Sequence, residues 1–146
     1  MSSNHVIDCG APPFVPSGWK VLRHDTTRER LHWNPKQIEL HLTPSQKADI
    51  HAEARTVLSE LRLTPVLNAN VLDYLLSHPL LIPKEWREGD KEILFWGTVY
   101  VDNYGLECVR SLIWSPSLYW NWESHGLDDL PLLNLDYAVA LKIKRH

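Results

Sequence analysis

The segment from Ile93 to Val101 constrains the fold most. It is apolar on both faces, so each side of the strand it forms has to be covered, and this marks a central strand. Asp102-Asn103-Tyr104-Gly105 follows, with Asp at the first turn position and Gly at the last, which suits a type I turn with a bulge. Leu106 to Trp114 gives the next strand, Ser115-Pro116-Ser117 turns, and Leu118 to Trp122 gives a third. The expected unit is an antiparallel three-stranded meander.

The flanking segments supply the rest of an α+β domain. Residues 1–18 hold Gly10, Pro12, Pro13, Pro16 and Gly18 and are expected to form an extended N-terminal arm. Residues 19–146 are expected to form a single α+β domain, in line with a chain of 146 residues. Trp19 to Asp25 fits a strand, and Ile38, Leu40 and Leu42 alternate with polar residues as a second. Together they predict an N-terminal hairpin. Thr43-Pro44 opens a helix, and Ile50, Ala54, Val57, Leu58 and Leu61 share one stripe along it. A second helix is expected from about Asn68 or Ala69 to Ser77, stopped by His78-Pro79. Asp136 to Ile143 fits a short helix or an edge strand.

Composition excludes several functions. The net charge of −3 gives no general basic field for a polyanion. Residues 20–36 are locally basic, with Lys20, Arg23, Arg28, Arg30 and Lys36 against Asp25 and Glu29, and are expected to be solvated surface. No apolar run is long enough for a membrane helix, so no membrane role is expected. The N-terminus carries no secretory pattern, and the expected compartment is the cytoplasm. Cys9 and Cys108 are too few for a disulfide framework, and one bridge is the most they can form.

Motifs for catalysis are missing. There is no G-x-S-x-G elbow, P-loop or dinucleotide fingerprint. His51-Ala52-Glu53 matches half of a zinc deaminase site, but the chain has no C-x-x-C to complete it. His24, His32 and His41 fall in or between the first two strands without metal-ligand spacing. Neither cofactor, metal nor catalytic residue is assigned.

The seven tryptophans are the distinctive feature. With the bulged turn, Tyr100 faces Cys108, Thr98 faces Arg110 and Trp96 faces Leu112. With a three-residue second turn, Leu112 faces Trp120 and Arg110 faces Trp122. One sheet face then gathers Trp96, Tyr100, Arg110, Trp120 and Trp122, and these are the candidate binding residues. Arg110 admits two readings. It serves a ligand or partner acid beside the indoles, or this face packs on the N-terminal strands and Arg110 pairs with an acid such as Asp128 or Asp129. Gly97, inside the strand, is expected to make room for a neighbouring indole.

The runs Pro65–Leu76, Leu81–Trp86 and Phe95–Tyr100 resemble a group of small uncharacterised bacterial proteins. The resemblance implies a bacterial or phage-related cytosolic origin and attaches no activity. The expected function is therefore a non-enzymatic binding or interaction module using the Trp/Tyr/Arg-rich face. Its partner would be a protein or a small ligand, and it would act as a monomer or homodimer. One alternative is a small-molecule binder or small enzyme with a pocket on that face. Another is weak single-stranded nucleic-acid binding, for which only Arg110, Arg87, Lys142, Lys144 and Arg145 offer charge.

Overall fold

The computed structural model describes residues 5–49, 51–128 and 131–142. The fold is α+β and sheet-rich. Nine strands are described: β1 (Val6–Asp8), β2 (Lys20–His24), β3 (Arg30–His32), β4 (Ile38–His41), β5 (Glu92–Leu94), β6 (Thr98–Val101), β7 (Glu107–Ser115), β8 (Tyr119–Gly126) and β9 (Asp136–Leu141). Three α-helices join them: α1 (Pro44–Ala48), α2 (Ala54–Glu60) and α3 (Ala69–Ser77). β1 and β3 form a two-stranded ribbon. The others form one curled sheet in the order β2-β6-β7-β5-β9-β4, with β8 on the second side of β7. Among the described residues no helix is long and apolar enough to cross a membrane.

The sheet separates two cores. On one face Ile93, Phe95, Leu112 and Val139 pack with Val71, Leu72 and Leu75 of α3 and with Ile7, Leu31 and Trp33 of the ribbon and its flank. On the other, Leu94, Trp96, Val99, Val109 and Ala138 pack with Ala54 and Val57 of α2 and with Leu61, Leu127 and Leu132. A nine-residue helix such as α3 is marginal alone. Its buried face holds it, each fully buried leucine contributing about 1.5–3 kcal/mol. Its first turn is capped twice: Asn68 Oδ1 accepts from Asn70 N at 3.1 Å, and Thr98 Oγ1 accepts from Ala69 N at 2.9 Å.

Several expectations are corrected. β2 and β4 make no hairpin: β2 pairs antiparallel with β6, and β4 pairs with β9. Alternation reveals which face of a strand is buried, and it leaves the neighbour open. The arm holds a strand, β1, because Ile7 and Cys9 are buried there. The helix expected from Thr43 is broken into α1 and α2, since Ala52 exchanges backbone hydrogen bonds with Leu132 at 2.9 and 2.7 Å. A tertiary bridge thus overrides a good helical stripe. The C-terminal element is a strand, and an interior one: β9 runs parallel to β5 and antiparallel to β4.

The central strand is itself broken. Tyr100 pairs with Cys108 and Val101 with Glu107, as the Asp102–Gly105 turn dictates. Beyond Thr98 the register slips by three residues, so that Ile93 pairs with Leu112 and Leu94 with Ser111. An odd slip exchanges the two faces. Ile93 and Phe95 therefore join Tyr100's side of the sheet, and Trp96 leaves it. The cause is at Gly97, which is pressed against the backbone of Leu67 and Asn68 rather than an indole. Gly97 N donates to Leu67 O at 3.0 Å, and Asp25 N donates to Gly97 O at 2.7 Å.

Candidate functional site

Arg110 sits mid-way along β7 on the face shared by Cys108 and Leu112, and its side chain is 1% exposed. Its Nη1 and Nη2 each donate to the Asp73 carboxylate at 2.8 Å, a fork-to-fork pair between sheet and α3. The guanidinium lies over the Trp122 ring at 4.2 Å and over Phe14 at 5.2 Å. Among the described residues its Nε has no hydrogen-bond partner. Trp19 stands edge-on to both Trp122 and Tyr100, and Tyr100 Oη donates to Phe14 O at 2.8 Å. Burial draws the guanidinium pKa down and the Asp73 carboxylate more than restores it, so Arg110 stays charged. Burial raises the Tyr100 phenol, against the opposing pull of Arg110.

The five sequence candidates therefore divide. Tyr100 and Arg110 are buried and tie the sheet to α3 and the arm. Trp96 is 3% exposed in the opposite core, because of the slip at Gly97. Trp120 and Trp122 are half-buried on Arg110's face. Their pairing is two residues off the expected one: Leu112 faces Trp122, Trp114 faces Trp120 and Arg110 faces Ser124. The turn occupies Pro116–Leu118, with Tyr119 at φ 58°. An even slip of this kind keeps the face. Trp114, Trp120 and Trp122 form a ledge at the sheet margin, with Arg87 over Trp114 at 5.2 Å and Leu118 and Tyr119 exposed at its end. Of the expected acids, Asp128 does not serve Arg110. Asp128 pairs with Arg55 at 2.8 Å, and Asp129 lies outside the described residues.

A second cluster went unnoticed in the sequence. Ser111 Oγ donates to Glu92 Oε1 at 2.7 Å, and His125 Nδ1 lies 3.6 Å from Glu92 Oε2. Asp136 is Glu92's neighbour across the parallel β5–β9 rung, and its Oδ2 accepts from Leu133 N at 2.7 Å. Only that long-range pairing assembles the group, so no local pattern announces it. The carboxylate stands between hydroxyl and imidazole, which is the wrong order for an activated nucleophile. Burial opposes ionisation of Glu92, but His125 and Ser111 prevail and lower its pKa. Burial raises Asp136, the Leu133 amide opposes it, and the Glu92 charge adds to the rise.

The two shifts have opposite consequences. Glu92's contribution to stability is complete above its ordinary value of 4.5 and is lost as pH falls through the folded value. Asp136's is complete below its ordinary 3.8 and is lost as pH rises through the folded value. Relative to the natural chain, Asp136→Asn should gain stability as pH rises above 3.8, whereas Glu92→Gln should lose it as pH rises towards 4.5 and change little beyond. Urea unfolding at several pH values checks this. Parallel stability profiles for all three proteins would remove the cluster's role.

Cys9 and Cys108 are free and buried. Burial pushes each thiol up to about 11, helped by Asp8 at Cys9 and by Asp102 at Cys108, while Arg28 opposes the rise at Cys9. His24 is held by Thr98 Oγ1 at 2.8 Å and Ala11 O at 3.1 Å. Among the described residues no three His, Cys, Asp or Glu side chains are grouped to hold a metal ion. Comparison with family models, curated proteins and solved structures finds no match to this chain.

Proposed function

We propose that the protein is a non-enzymatic binding module whose contact surface is the ledge of Trp114, Trp120 and Trp122, and whose partner is an extended protein segment that adds a strand to β8. The condition of the sheet's edges is the observation that carries this reading. β2 is interrupted by a register shift between Val21 and Arg23 and bears Lys20 and Arg23. β4 is four residues long. Both have features that natural sheets use to discourage strand addition. β8 carries a single charged side chain, Glu123, and neither interruption nor shortness. It runs for eight residues in unbroken register on β7, contains neither Pro nor Lys, and among the described residues pairs with β7 alone.

Backbone pairing would supply affinity in such a complex, and the side-chain surface specificity. Trp, Tyr and Arg are the residues that dominate interface energetics, and the ledge presents them together. In this reading Tyr100 and Arg110 hold Trp122 in place from behind, and Trp96 takes no part in contact.

Selection from a random peptide library tests the proposal. Recovered sequences should protect backbone amides of residues 119–126 from exchange, and Trp120→Ala should weaken them by about tenfold or more. Recovery of no binder, or protection confined to another strand, overturns it.

A further inference from the structure

The described arginines fall into two sets. Arg55 and Arg110 make ion pairs, and Arg87 stacks on Trp114. Arg23, Arg28, Arg30 and Arg62 are exposed and make no side-chain hydrogen bond or ion pair among the described residues. All four of these line one concavity. Arg28, Arg30 and Arg62 border a cleft of about 770 Å³, and Arg23 and Arg62 border an annex of about 180 Å³ that shares Asp25, Thr64 and Val66 with it.

We propose that this cleft binds a small organic molecule carrying phosphoryl groups, a site independent of the β8 edge. Its walls come from two segments, residues 25–30 and 62–67. Asn68 braces the first wall from the floor: its Nδ2 donates to Cys9 O and to Asp25 O, both at 3.0 Å. Gly10 N donates to Glu29 O at 3.0 Å, and Leu141 N donates to Pro65 O at 3.0 Å. The walls are thus fixed before any ligand arrives, which lowers the cost of binding.

The charge balance sets the ligand class. Four guanidinium groups face two carboxylates, Asp25 and Glu29, leaving two positive charges for a ligand with two or more negative ones. Guanidinium forks on opposite walls match phosphoryl oxygens. Leu63, Pro65, Val66, Leu67 and Leu141 provide apolar surface for an organic body, and the volume is that of a typical small-molecule site. A nucleic-acid polymer is disfavoured, because the chain as a whole carries −3.

Calorimetric titration with inorganic tripolyphosphate tests the site, with a twelve-residue thymidine oligonucleotide as the competing probe. Tripolyphosphate should bind with a Kd below about 1 mM. Arg28→Ala and Arg62→Ala, one on each wall, should each weaken it by about tenfold, whereas Arg87→Ala should leave it unchanged. All three side chains are exposed, and thermal unfolding would verify that the variants remain folded. Absence of binding overturns the proposal, as does equal loss in Arg87→Ala. Tighter, Arg62-dependent binding of the oligonucleotide would overturn the small-molecule assignment in favour of a polymer.

Discussion

Asp73→Ala should destabilise the protein by about 3–5 kcal/mol, the cost of leaving a buried charge without its partner. Arg110 is 1% exposed, and its Nε is already unsatisfied. The rings of Trp122 and Phe14 remain, but cation–π attraction is worth about 0.5–2 kcal/mol and replaces no hydrogen bond. The reverse substitution should be milder. Arg110→Met leaves Asp73, whose side chain is 31% exposed midway along α3 and can be hydrated, so about 1–2 kcal/mol is expected. The double variant Asp73→Asn, Arg110→Met should resemble Arg110→Met alone. Urea unfolding followed by tryptophan fluorescence reads all three. Equal losses in the two single variants would contradict the buried-charge account.

Gly97→Ala should be nearly as damaging. A Cβ there would lie 2.8 Å from Asn68 Cα, from Asn68 N and from Leu67 O. Every obstructing atom is backbone, so no side-chain rotation relieves the clash. Relief requires the start of α3 to lift from the sheet, which would strain the Thr98 and Asn68 caps and the Gly97–Leu67 hydrogen bond. The cost should reach the top of the usual range for overpacking, about 1–3 kcal/mol. Gly10→Ala provides the control. Its Cβ would meet its nearest neighbours at 3.6 Å, an ordinary contact, so a change within about 0.5 kcal/mol is expected. If thermal unfolding places the two variants together, close approach at Gly97 is not what breaks the strand.

The sequence was informative where local chemistry decides. The Asp102–Gly105 turn set the Tyr100–Cys108 rung, and Asn68 with His78-Pro79 bounded α3. It was silent where a distant backbone intervenes. Nothing near Phe95–Gly97 reveals that Leu67 and Asn68 will press on Gly97, and this sends Trp96 to the opposite core. Likewise, the stripe through Ala54 and Leu61 does not disclose the bridge from Ala52 to Leu132. Part of the candidate set stays on one face for a geometric reason. The β7–β8 slip was even and kept Trp120 and Trp122 on Arg110's face, while the β5–β7 slip was odd. Arg110's partner was out of reach because an acid on a helix gives no sign of which strand it will meet.

The position of β9 also bears on how the chain is made. Among the described residues β4 joins the sheet only through β9, and β9 emerges from the ribosome after every other described strand. Until residue 141 is free, β4 lacks its neighbour, and β5 keeps one edge open. The nascent protein thus cannot close its sheet by folding progressively from the N-terminus. Completion has to wait until synthesis has passed β9, and a chain stalled before it would expose two open strand edges to aggregation.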